Sequence, residues 1–158
     1  VGQDAARLFY VMRSNDQHLD FDLELAKSRS TDNPVYYIQY AHARISSILR
    51  LAHDQGIEFD QADVSLLTHE TELSLIRKMV ELPELIEMIA EALEPHHLPH
   101  YATELATSFH VFYHQCRVIS SEPSESELTK ARLKLVDSAK IVLSKCLSLM
   151  LMTAPDEM

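Results

Sequence analysis

The sequence predicts an all-α fold, a helical bundle of about five main helices. Three observations carry this reading. Apolar residues recur at three- and four-residue spacing through five separate segments. Only two glycines occur in 158 residues, too few for the tight turns of a hairpin-rich β fold. Hydrophobic residues make up 46% and charged residues 24%, the balance of a chain that folds around a core. At this length one domain is expected, or one domain plus a piece of another.

Each element has its own signal. Asp4 is placed to cap a helix running from Ala5 to Met12. Asn15-Asp16-Gln17-His18 reads as a turn. Residues 21–28 carry apolar side chains at 21, 23, 25 and 26, a period that fits strand or helix equally. Asn33-Pro34 is a clear helix start, with Asn as cap and Pro at the first helical position. That helix should run to about Asp54 and end at Gly56, with Ile38, Ala41, Ile45, Ile48, Leu49 and Ala52 as its apolar face. A further helix from about Thr71 carries Leu73, Ile76, Met79 and Val80. Pro83 opens the next, with Leu85, Ile86, Ile89 and Leu93. Pro95 and Pro99 bracket a short His-rich connector. A long helix to about Ile119 follows, with Leu105, Phe109, Phe112 and Cys116 in register. Residues 120–126 are a loop by composition. The last helix shows a sustained spacing through Leu128, Ala131, Leu135, Ala139, Val142, Cys146 and Met150.

Composition excludes several function classes. The formal net charge is −10, so this is not a basic nucleic-acid domain. The acidity is uneven: residues 61–100 hold 2 basic and 8 acidic residues, whereas the flanks are close to balanced. A contact with a polyanion should therefore avoid residues 61–100 and use the flanks. No apolar run approaches the ~18–20 residues of a membrane span, so no membrane partner is expected. No signal peptide opens the chain, and a cytoplasmic protein is expected. Cys116 and Cys146 have no metal-binding spacing and suit a reduced compartment. The first residue is Val, and a helical pattern begins almost at once, as in a piece of a longer chain.

No catalytic centre is legible. His69-Glu70 begins like the zinc-protease pattern, but position 73 is Leu where the second ligand would stand. His96, His97 and His100 lie among prolines, and His110 and His114 are four apart, yet no Cys or carboxylate joins them at familiar spacing. They read as surface and packing histidines, and no metal ligand is assigned. No phosphate-cradling glycine loop or nucleophile elbow occurs. No catalytic residue and no cofactor is therefore expected within these 158 residues.

The informative feature is the run Tyr36-Tyr37-Ile38-Gln39-Tyr40-Ala41-His42-Ala43-Arg44. At 100° per residue, Tyr37 and Arg44 fall within about 20° of each other, with Tyr40 about 60° to one side. This stripe flanks the apolar face. Aromatic rings beside an arginine can stack bases and meet phosphate. From composition and spacing alone the favoured reading is that the tyrosines wedge against a neighbouring helix, with Arg44 in a surface ion pair. Tyr113 and Arg117 repeat the Tyr-x-x-x-Arg arrangement of Tyr40 and Arg44.

Residues 33–45, Asn-Pro-Val-Tyr-Tyr-Ile-Gln-Tyr-Ala-His-Ala-Arg-Ile, strongly resemble the helix that opens the anticodon-binding domain of bacterial arginyl-tRNA synthetases. Residues 1–7 and 19–26 resemble the family's Asp-Ala-Leu/Ala-Arg segment and the stretch after it. Residues 109–118 resemble its Phe-Tyr-x-x-Cys-Arg-Val helix. Ala131-Arg132-Leu133 and residues 154–158 resemble its last helix and closing tail. The resemblance spans essentially the whole chain.

It implies a parent class I enzyme that joins arginine to its tRNA through an arginyl-adenylate made from ATP with Mg2+. The catalytic signatures, a His-x-Gly-His type motif and a Lys-Met-Ser-Lys-Ser type loop, do not occur here and would lie upstream of Val1. Residues 1–30 would close the catalytic domain and connect it to the bundle, and residues 31–158 would form the anticodon-binding bundle. The expected partner is the anticodon loop of arginine tRNA, and a monomer is expected. Arginine and ATP would meet only the missing catalytic domain. Carried over by motif, Tyr37, Tyr40 and Arg44 would face the anticodon loop, Tyr113 and Arg117 would form the next wall, and Met158 would close the site. Leu151 stands where the family usually has Gly, and Glu157 replaces a common Arg. The alternative is a non-enzymatic helical protein-interaction module whose tyrosine stripe docks a partner helix.

Overall fold

The computed structural model describes residues 2–14 and 22–158. The expected turn at 15–18, the start of the 19–26 segment and Val1 lie outside them. The described residues form seven α-helices and no strand. Helices α3 (Pro34–Asp54), α4 (Glu70–Val80), α5 (Leu82–Ala92), α6 (His97–Gln115) and α7 (Ser126–Leu149) are the five expected ones. Two short helices, α1 (Gln3–Val11) and α2 (Leu23–Lys27), precede them. No helix is long and apolar enough to cross a membrane.

Helix α3 forms as its sequence dictates. The Asn33 side chain accepts from the Val35 N–H at 3.1 Å, which satisfies one of the orphan donors of the first turn. Gly56 ends the helix at φ 67. Ile38, Ala41, Ile45, Ile48 and Ala52 are buried against α6 and α7. Leu105, Phe109 and Phe112 of α6 and Ala131, Leu135, Ala139 and Cys146 of α7 complete the core. Both cysteines are free and buried.

Four expectations are corrected and one open reading is settled. Asp4 does not cap α1: Gly2 holds that position, and the Asp4 carboxylate instead accepts from Gln39 at 2.8 Å and from the Thr153 N–H at 3.1 Å. Residues 23–27 are helical because Asp22 accepts from the Glu24 and Leu25 N–H groups. On α4 the buried residues are Glu72 and Leu75. Val80 is exposed, and so does not join the expected face. Leu93 is no part of the α5 face, because it is exposed and closes that helix at φ 58. Finally, α6 ends at Gln115, where Cys116 turns extended at φ −121, ψ 124. Tyr113 and Arg117 therefore do not share a helical face.

The His69-Glu70 pair also finds its explanation here. His69 caps α4 in a capping box with Glu72. Glu72 is itself fully buried and pairs with Arg132 at 2.6 Å. Arg132 also donates to the Arg117 carbonyl at 2.9 Å, which fixes the chain leaving α6.

Candidate nucleic-acid interface

The aromatic run of α3 meets the end of α6, and the two build one wall. Tyr36 and Tyr40, one helical turn apart, stack at 5.8 Å with planes 9° apart. Tyr40 lies 5.8 Å from the His110 ring, and Tyr37 lies 5.0 Å from it. The Arg44 guanidinium stands 5.3 Å from the Tyr40 ring centroid and 5.1 Å from that of Tyr113. It donates to both tyrosine hydroxyls, to Tyr113 at 3.4 Å. Phe109 stacks beneath Tyr113 at 5.9 Å and carries the wall into the core. Tyr36, Tyr37, Tyr40, Arg44 and Tyr113 are all half-buried, so each is braced on one side and open on the other.

The packing reading of the stripe holds in one part and fails in another. Tyr37 does wedge against α6, where its hydroxyl donates to Thr107 at 3.2 Å. Arg44 does not make a surface ion pair: among the described residues no carboxylate lies within ion-pair reach of it. Its hydrogen bond to the Tyr40 hydroxyl, before any other cause, raises its pKa above the ordinary value. The guanidinium therefore stays charged and uses two of its five N–H donors on tyrosine oxygens. The rest are free to meet a phosphate or a base edge.

His110 sits between these rings; the sequence marks it only as a packing histidine four residues before His114, not as a member of the wall. Burial, and then the charge of Arg44, push its pKa down to about 4. The neutral imidazole lets the wall hold Arg44 without a second cation. Tyr36 was also missed as a member of the wall. Its position one turn before Tyr40 was the available signal.

Tyr37, Tyr40, Arg44 and Tyr113 are thus brought together. Arg117 lies beyond the end of α6 and is exposed. With Tyr113, Ile48 and Leu51 it lines a concavity of about 510 Å³ that continues from the wall. Met158 is exposed and lines a second groove, beside Tyr36, Gln39 and Thr153. It borders the wall at its Tyr36 end, away from Arg44 and Tyr113.

The C-terminal tail runs along α3 as a strap. The Thr153 carbonyl accepts from Gln39 at 3.0 Å, the Pro155 carbonyl from the buried His42 at 2.8 Å, and Asp156 from Ser46 at 2.8 Å. Lys140 bonds Asp156 at 2.9 Å and, with Ser46, holds its carboxyl down at about 2. Glu157 pairs with Arg50. Leu151 starts the strap at φ 57, the left-handed conformation that a Gly would take without strain. The Met152 N–H bonds the Leu147 carbonyl at 2.8 Å and the Leu151 N–H bonds Ser148 at 2.9 Å, so the usual helix-closing geometry is kept with Leu in the glycine position.

Comparison with known proteins agrees with this geometry. Residues 38–158 match the DALR anticodon binding domain. An arginine–tRNA ligase of Dehalococcoides mccartyi is 57% identical over 158 residues, covering 100% of this chain and 28% of the relative. The ligase of Carboxydothermus hydrogenoformans is 52% identical over 161 residues, again covering 28% of that protein. The arginyl-tRNA synthetase structure of Thermus thermophilus superposes with a TM-score of 0.79 at 30% identity, covering 98% of this chain and 26% of the other. The chain thus spans about a quarter of the length of the relatives it matches. With the matched segment reaching from α3 to the tail and holding every residue of the wall but Tyr36 and Tyr37, the chain belongs to the DALR anticodon-binding domain family.

Proposed function

We propose that this chain is the anticodon-reading end of an arginine–tRNA ligase. Residues 31–158 are the reading bundle, and residues 1–30 close the catalytic domain and connect it. One observation carries the reading most: the unbroken wall Tyr36, Tyr40, Arg44, Tyr113, in which a charged guanidinium with no carboxylate partner among the described residues is framed by half-open rings. Splayed anticodon bases stack on the rings. Arg44 supplies donors to a phosphate or base edge, Arg117 extends the wall, and Met158 borders its far end. Each stacked base contributes about 1–3 kcal/mol.

In the complete enzyme, ATP, L-arginine and tRNA give AMP, diphosphate and arginyl-tRNA through an arginyl-adenylate. ATP, Mg2+ and arginine belong to the catalytic domain, whose two signature motifs do not occur in this sequence. The net charge of −10 means that phosphate attraction comes largely from the other domains. The enzyme acts as a cytoplasmic monomer.

The test is Tyr40→Ala in the full-length ligase. kcat/KM for arginylation should fall by a factor matching about 1–3 kcal/mol with the natural anticodon. It should fall much less with a tRNA abasic at the middle anticodon position, since stacking tolerates any base but needs one. Unchanged kinetics with natural tRNA would remove Tyr40 as a base contact.

A further inference from the structure

The connector between α5 and α6 gathers three side chains that the aromatic wall does not use. Leu93 closes α5 in the left-handed conformation and reverses the chain. Pro95 then fixes the backbone between Glu94 and His96. The Leu98 N–H bonds the Pro95 carbonyl at 3.1 Å and the His97 N–H bonds that of Glu94 at 3.4 Å, so the turn is held on its own backbone. On this turn one ligand atom each from Glu94, His96 and His97 lies within 4.8 Å of the other two. The His97 Nε2 is 3.0 Å from a Glu94 carboxylate oxygen, and the His96 and His97 rings are 4.2 Å apart. The sequence showed the histidines but no carboxylate at a familiar ligand spacing. The reversal after Leu93 is what brings Glu94 to them.

We propose that Glu94, His96 and His97 form a surface site for a divalent transition-metal ion of the zinc and nickel type. Two imidazoles and one carboxylate are the donor set such ions take, with water completing the sphere. Bond lengths of about 2.0–2.2 Å place tetrahedral ligands about 3.4 Å apart, so small rotations of these partly exposed side chains close the set. The ion replaces the proton shared between His97 and Glu94. The Glu94 carboxylate offsets the positive end of α6 dipole that starts at His97. The surrounding segment, with 2 basic and 8 acidic residues in 61–100, favours cation approach. The site is about 20 Å along α6 from His110 at 1.5 Å per residue, and so is independent of anticodon reading. Its effect is to pin the α5–α6 connector.

The experiment is calorimetric titration of the chain with Zn2+ and, separately, Ni2+, together with the thermal midpoint with and without the ion. The expected result is one ion per chain and a raised midpoint. His97→Ala and Glu94→Gln, shown folded by circular dichroism, should each lower affinity by at least about tenfold, since even outer-shell partners are worth about 10–100-fold. His53→Ala, on the exposed end of α3, should bind as the unaltered chain does. Absence of binding would overturn the proposal. So would unchanged affinity in both His97→Ala and Glu94→Gln, because the ion would then sit on other histidines.

Discussion

Arg44 of α3 and Tyr113 of α6, 69 residues apart, meet twice: the guanidinium stands 5.1 Å from the tyrosine ring and donates to its hydroxyl at 3.4 Å. The contact fixes a cation at the junction of two helices whose buried faces hold them in register. Ile38, Ile45 and Ile48 on α3 and Phe109 and Phe112 on α6 supply that packing. The stacked rings therefore stand on a rigid base, which base discrimination requires.

That base can be weakened by itself. Ile45 is fully buried at the centre of α3. Ile45→Ala should cost about 2–5 kcal/mol in denaturant unfolding, as a lost core side chain and the cavity left behind. A negligible shift of the midpoint would mean that the buried face of α3 is wrongly placed.

Leu151 predicts the opposite sign. It holds φ 57 with its side chain 70% exposed, so it has strain to lose and little burial. Leu151→Gly should stabilise the chain by up to about 1 kcal/mol, the left-handed penalty of about 1–2 kcal/mol less the added freedom of the unfolded glycine. The same holds for Leu93, at φ 58 and also exposed. A destabilised Leu151→Gly would contradict the helix closure described for α7.

Acid should loosen the fold before carboxylates titrate. His110 is pushed down to about 4 from 6.5, first by burial and then by Arg44 and His114. Burial also lowers His42, against the opposing pull of its bond to Pro155. For such groups the unfolded chain binds the proton that the folded one refuses, so stability is fully present above 6.5 and is lost as pH falls from there toward the folded value. Urea midpoints should drop between pH 7.5 and 5, and His110→Phe should flatten the dependence. A midpoint that does not move over this range would rule the two histidines out.

Glu157 ties up Arg50, six residues past Arg44 on α3. Glu157→Arg removes that partner and frees two cations toward the phosphates. In the full-length ligase, tRNA affinity should rise at low salt, and the log–log salt dependence should steepen by about 0.7–0.9 per added phosphate contact. An unchanged slope would place the tail away from the RNA.

Much of this fold was legible in the sequence. The Asn33-Pro34 start and Gly56 stop bounded α3, and the unbroken spacing of Ala131, Leu135, Ala139 and Cys146 gave α7 its face. Pattern reading failed where a charge was buried or a helix ended without a mark. Glu72 takes an interior position on α4 because Arg132 from α7 reaches it, a pairing no local period shows. The end of α6 carries neither Gly nor Pro, and Cys116 and Val118 stay buried beyond it, so the apolar pattern runs on after the helix has stopped. Of the wall, helical spacing put Tyr37, Tyr40 and Arg44 on one stripe but left open whether that stripe met a base or a neighbouring helix. His110 did not follow from spacing, since its place depends on how α6 crosses α3. Arg117 lines the neighbouring concavity for a different reason from the one expected, through the extended chain that Arg132 holds.

The most direct measurement is a titration of the full-length ligase with two anticodon stem-loops, one of arginine tRNA and one with its middle anticodon base substituted, at low and moderate salt. Base reading by the Tyr36–Tyr40–Arg44–Tyr113 wall predicts tighter binding of the first by roughly 5- to 150-fold, about 1–3 kcal/mol, at both salt concentrations. Added salt should weaken both and leave their ratio standing. Equal affinity for the two stem-loops would contradict the account.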